Sequence, residues 1–76
     1  MYYVSVYTYD HQITYKEFRD SALTDALPEY TPEVRAHMYA EDSLKNGFRF
    51  DHEDGTSTYY PANMIKRINV GPIKER

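Results

Sequence analysis

The chain contains no cysteine and no tryptophan, and its only glycines stand at positions 47, 55 and 71. Without cysteine there is no disulfide framework, no thiolate nucleophile and no thiolate ligand for a metal. Three glycines so far apart build no glycine-rich phosphate loop. No apolar run approaches the roughly 18 residues that cross a bilayer. The opening Met1-Tyr-Tyr-Val-Ser-Val lacks the basic start and apolar core of an export signal. The expectation is a cytoplasmic chain with no membrane association.

What the sequence has in quantity is tyrosine, nine among 76 residues. A domain of this size has a core that only about balances the entropy of ordering the chain. It cannot hide nine such side chains, so some are expected at the surface, where tyrosine is enriched in binding patches. Charge is unevenly spread. Residues 10 to 54 carry eleven acidic and five basic side chains, whereas residues 55 to 76 carry one acidic and four basic. An acidic body with a basic tail disfavours whole-surface contact with nucleic acid and leaves room for a small contact at the tail.

Tyr2 to Tyr9 alternates in the manner of a strand, with Tyr2, Val4, Val6 and Thr8 toward the core and Tyr3, Ser5, Tyr7 and Tyr9 opposite. Thr14 and Glu17 have the spacing of a capping box, and Tyr15, Phe18, Ala22, Leu23, Ala26 and Leu27 share one helical stripe. A helix over 15–27 is expected, stopped by Pro28. Thr31-Pro32-Glu33 starts a second helix running to Asn46, with Gly47 as its left-handed stop. Val34, His37, Met38, Ala40 and Leu44 give it a looser stripe, so it should be the less buried of the two. Arg19 and Glu41 project into the apolar stripes of the two helices, where they either pair across the helix interface or extend outward to solvent.

Gly47 to Val70 is the most regular stretch. Phe48 and Phe50 alternate, Asp54-Gly55 turns, and Thr56 to Tyr60 returns, which together describe a β-hairpin. A single 3₁₀ turn follows Pro61, and Lys66 to Val70 forms the last strand until Gly71-Pro72 breaks it. The expected fold is α+β: a small antiparallel sheet of three to four strands with a helix pair inserted after the first strand, in the order β-α-α-β-β-β. It occupies residues 1–71 as one domain, with 72–76 a frayed tail.

Tyr60-Pro-Ala-Asn-Met-Ile65 is similar to the proline-led turn before the last strand of SH3 domains, and Tyr7-Thr-Tyr-Asp10 is similar to the tyrosine-rich segment that opens them. The two stretches together span ten residues. The resemblance implies a small bent sheet or partial barrel. No tryptophan is present for a proline-peptide groove, so no ligand residues carry over.

The chemistry-bearing residues favour binding over catalysis. Ser5, Ser21, Ser43 and Ser57 sit in no nucleophile signature, and surface carboxylates without a pocket cannot be tuned for acid–base work, so no enzyme is expected. Asp10, His11 and Asp51-His-Glu-Asp54 are metal-ligand types, but they lack the register of a calcium loop and the donor count of a zinc site. No cofactor or metal is expected. The candidate partner-binding set is Tyr3, Tyr7 and Tyr9 as aromatic anchors, Asp51, Glu53 and Asp54 as an acidic rim, and Lys66 and Arg67 after the proline turn. An alternative places the tyrosines under the first helix as core.

The expected function is a small non-enzymatic binding protein that occupies a surface of a protein partner. Compact, acidic, tyrosine-rich chains of this kind resemble the accessory products with which phages and mobile elements inhibit host enzymes or defence complexes. The alternative is a nucleic-acid-binding accessory domain that uses the basic C-terminal strand. Self-association through an open sheet edge is a third expectation.

Overall fold

The computed structural model describes residues 1–74. Its elements are β1 (Tyr2–Thr8), β2 (Ile13–Phe18), α1 (Ala22–Ala26), α2 (Pro32–Asn46), β3 (Phe48–Asp51), β4 (Ser57–Tyr60), a 3₁₀ turn (Ala62–Met64) and β5 (Ile65–Pro72). They form a three-stranded antiparallel sheet in the order β2-β1-β5 and a two-stranded sheet β3-β4. The fold is α+β with a small antiparallel sheet, as expected.

The segment expected to open the first helix is a strand instead. Ile13 to Phe18 pairs antiparallel with β1, Val6 opposite Thr14 and Tyr2 opposite Phe18. Thr14 and Glu17 mimic a capping box in spacing alone. Read with period two, the same residues place Thr14 and Phe18 beside the core valines and Ile13, Tyr15 and Glu17 on the other face. Tertiary pairing thus overrides the helical stripe, and the helix that remains is the five-residue α1 with no buried residue. The element order is accordingly β-β-α-α-β-β-β. Arg19 lies just beyond β2, outside any helix, and forms an exposed ion pair with Glu17 at 2.8 Å.

The second helix matches its expected bounds. Thr31 accepts from the Val34 N–H at 3.3 Å, Pro32 occupies the first turn, and Gly47 ends the helix at φ 83°. It is the core helix rather than the shallower one. Its buried residues are Pro32, Ala36, Ala40 and Ser43, while Val34, Met38 and Leu44 are exposed. Small side chains on the inner stripe let the helix backbone approach the sheet closely, which the larger residues of the expected stripe do not permit. The core consists of Val4, Val6, Ala36, Ala40, Phe48 and Ile65, with Phe18, Tyr39, Ile68 and Val70 among the residues packed on it. Burying each of the two valines fully contributes about 1.5–3 kcal/mol.

The hairpin and the 3₁₀ turn after Pro61 are as read from sequence, and the final strand follows that turn but runs longer than expected. Gly71 and Pro72 continue β5 rather than breaking it, pairing with Tyr3 and Tyr2. The Ile73 N–H donates to the Met1 carbonyl at 3.0 Å. Of the tail expected over 72–76, residues 75 and 76 lie outside the described residues.

Candidate functional site: the open face of the three-stranded sheet

The two faces of the three-stranded sheet differ in kind. The even-numbered residues of β1 meet α2, and Val4 and Val6 have no exposed surface. The odd-numbered residues make the other face, on which no helix lies among the described residues. It carries Tyr3, Ser5 and Tyr7 from β1, opposite Glu17, Tyr15 and Ile13 on β2 and opposite Gly71, Asn69 and Arg67 on β5. Ile13 and Tyr15 are each 55% exposed, a level at which neither is a core residue.

This face is packed within itself. The Tyr3 and Tyr15 rings stack with centroids 5.8 Å apart and planes 18° from parallel. On its other side Tyr3 lies over Gly71, where a Cβ would stand 3.1 Å from the Tyr3 ring. The Arg67 guanidinium sits 4.5 Å from the centroid of the Tyr7 ring. Desolvation, with the Glu17 carboxylate as a further cause, holds the Tyr15 hydroxyl above its ordinary pKa of 10.0, so it stays neutral. The face therefore presents ring edges, hydroxyls and one isoleucine between a basic end and the Glu17–Arg19 pair.

The basic end is made by a β-bulge. Pairing with β1 steps from Tyr7–Arg67 to Thr8–Ile65, which leaves Lys66 as the extra residue. Lys66 and Arg67 both line a recess of about 140 Å³ with Tyr7, His11, Gln12 and Ile13. Across it, the β1–β2 turn is held by backbone bonds from Thr8 to Gln12 and from His11 to Thr8, with His11 in the left-handed region at φ 66°. The Asp10 carboxylate accepts from the Thr8 hydroxyl and from the Gln12 N–H at 3.3 Å, and this closes the turn.

The structure thus brings together Tyr3, Tyr7, Lys66 and Arg67 of the expected set. Tyr9 lies past the end of β1, 61% exposed, and its N–H donates to Met64. Asp51, Glu53 and Asp54 were expected beside the tyrosines, yet they occupy the β3–β4 hairpin, whose strands, among the described residues, pair only with each other. Two of these acids serve the hairpin itself. Asp51 pairs with Arg49 at 3.0 Å and accepts from the Ser57 hydroxyl at 2.7 Å. Asp54 accepts from the Thr56 N–H at 3.0 Å and the Thr56 hydroxyl at 2.6 Å, an Asx turn. Tyr15 was missed because it was assigned to a helix, and Ile13 because it was left in the connection ahead of that helix. Their signal was the run Ile13-Thr-Tyr-Lys-Glu-Phe18, in which four of six residues are β-branched or aromatic.

Among the described residues no three histidine, aspartate or glutamate side chains are grouped so as to hold a metal ion. No helix among them is long and apolar enough to cross a membrane. No family model, curated protein or solved structure matches the chain. What the site can do follows from its own residues.

Proposed function

We propose that the protein is a small non-enzymatic binding protein that covers a surface of a protein partner with the odd-numbered face of its three-stranded sheet. The observation that supports this reading is the uncovered row Tyr3, Tyr7, Ile13 and Tyr15 on a domain whose opposite sheet face supplies the core. Rigid aromatic side chains held by their neighbours lose little freedom on binding, which is what interface anchors require. Cytoplasmic inhibition of a host enzyme or defence complex, as by phage accessory proteins, is the form of action that fits a compact, acidic chain with such a face.

A second reading, contact with single-stranded nucleic acid, draws on Lys66 and Arg67, which no acid among the described residues pairs with. Base stacking needs free ring faces. Tyr3 is held between Tyr15 and Gly71, and the Tyr7 ring carries Arg67, so protein contact is the better match. Self-association through a sheet edge is opposed by edge protection. Lys16 stands on the inner face of edge strand β2 with its ammonium 4.7 Å from the Tyr39 ring centroid, and Pro72 ends the other edge strand.

Affinity capture from cell lysate with nuclease added tests the proposal. A protein retained by the wild type and by Glu33→Lys on α2, and lost with Tyr15→Glu, supports it. Retention undiminished by Tyr15→Glu, or loss of all captured material on nuclease treatment, overturns it.

A further inference from the structure

We infer that the recess between the β1–β2 turn and the β5 bulge is a carboxylate subsite that takes an acidic side chain of an extended peptide segment in the partner. The inference rests on reading the odd sheet face as a protein-binding surface, and it names what the basic end of that face holds.

Regular strand geometry would send Lys66 and Arg67 to opposite faces of the sheet. The bulge brings both to one recess. Arg67 is held against the Tyr7 ring, so its planar fork is oriented before any ligand arrives, and Lys66 adds a mobile point charge. Neither cation is neutralised by an acid among the described residues. Asp10, next to His11 in the turn, already accepts from Thr8, Gln12 and Tyr60. A volume of about 140 Å³ holds a carboxylate and its bound water. It is below the roughly 300–1,000 Å³ of pockets for drug-sized ligands.

Charge selects a peptide carboxylate over a polyanion. The body of the chain carries eleven acidic against five basic residues from 10 to 54. That excess repels a nucleic-acid strand along its length, while a single carboxylate responds to charges within a screening length of about 8 Å. Beside the recess, exposed Ile13 and Tyr15 offer apolar surface to the flanking side chains of the same peptide. Side chains two residues apart share a face of an extended chain, so the partner segment is one in which an acidic residue is followed two positions on by an apolar one.

The test is a heteronuclear NMR titration of the chain with a capped hexapeptide, Thr-Glu-Thr-Phe-Thr-Phe, which shows its glutamate and both phenylalanines on one face when extended. Its glutamine counterpart and octathymidylate are run in parallel. The expected result is amide shifts at Tyr7, His11, Ile13, Lys66 and Arg67, with binding of the glutamate peptide at least about tenfold tighter than of the glutamine peptide. Lys66→Ser and Arg67→Ser each abolish that preference, and Lys74→Ser leaves it intact. Equal binding of the two peptides, equal weakening by Lys74→Ser, or saturation by octathymidylate at lower concentration overturns the subsite. Any of these leaves the aromatic face to be judged by the capture experiment with Tyr15→Glu. The peptide comparison uses only the wild-type protein and does not depend on how a variant folds.

Discussion

Arg67 lies over Tyr7, its guanidinium carbon 4.5 Å from the ring centroid, on the open face of a three-stranded sheet. The two residues are directly opposed in the β1–β5 register, so the contact is a cross-strand pair as well as a cation–π pair. At an exposed site such a contact is worth about 0.5–1 kcal/mol. Urea denaturation of Arg67→Ala, Tyr7→Leu and the double variant is expected to give a coupling energy in that range. Additive single effects would show that the guanidinium is held by something other than the ring.

Thr14 carries a buried hydroxyl oxygen with no hydrogen-bond partner and faces Val6 across the β1–β2 ladder. An unsatisfied buried hydroxyl costs free energy that an isosteric methyl does not. Thr14→Val is expected to raise stability by about 1 kcal/mol, since valine keeps both the shape and the strand preference. Thr14→Ser keeps the orphan oxygen, loses the methyl, and lowers the denaturation midpoint. The opposite order of the two variants would mean that a bound water satisfies Thr14.

These two pairs also explain what the sequence could and could not disclose. Where a signal is local, it was legible: Thr31-Pro32 and Gly47 bound α2, Asp54-Gly55 turns the hairpin, and Pro61 leads the 3₁₀ turn. β2 was not legible, because Thr14, Glu17 and Phe18 satisfy a helical template as well as an alternating one. The choice is made by β1, whose Val6 and Tyr3 accept Thr14 and stack on Tyr15. The bulge at Lys66 is a further product of pairing, and it decides that Lys66 and Arg67 share a recess. Tyr3, Tyr7, Lys66 and Arg67 could be singled out by residue type alone. That the acidic tip belongs to a different sheet depends on strand order, which no local pattern encodes.

Gly47 and Gly55 both have positive φ, at 83° and 88°, but only one is crowded. A Cβ on Gly47 would run into the Tyr60 carbonyl oxygen, a backbone atom that cannot rotate away, whereas a Cβ on Gly55 meets nothing within 4 Å. With ψ at −173°, Gly47 also occupies a region that other residues avoid. Gly55→Ala is expected to cost about 1–2 kcal/mol, the left-handed penalty alone. Gly47→Ala is expected to cost more than about 3 kcal/mol and to leave much of the protein unfolded at 37 °C. Thermal melts followed by circular dichroism compare the two directly. A Gly47 variant no worse than the Gly55 variant would show that α2 does not run as close to the Tyr60–Pro61 backbone as the structure has it.

Acid sensitivity is expected from Asp10 and Asp54, both held below the ordinary carboxyl value of 3.8. For Asp10 the main cause is the Thr8 hydroxyl, opposed by desolvation and reinforced by the Gln12 N–H and the Tyr60 hydroxyl. For Asp54 it is the Thr56 hydroxyl followed by the Thr56 N–H. A depressed folded-state value means that the unfolded chain binds protons more readily, so stability rises with pH across this window. The contribution is complete above the unfolded value and is lost as pH falls through the lower folded value. Melting temperatures should therefore decline from about pH 4 to pH 2, and Asp10→Asn and Asp54→Asn should each flatten part of that decline. Each asparagine variant melts below the wild type at pH 7 and converges with it once the wild-type carboxyls are protonated. Thr8→Ala, which removes the first donor to Asp10, brings its folded value back toward the unfolded one and should likewise shrink the decline. A wild-type decline left unchanged by all three substitutions would assign the acid transition to other carboxylates and remove these turns from the account of stability.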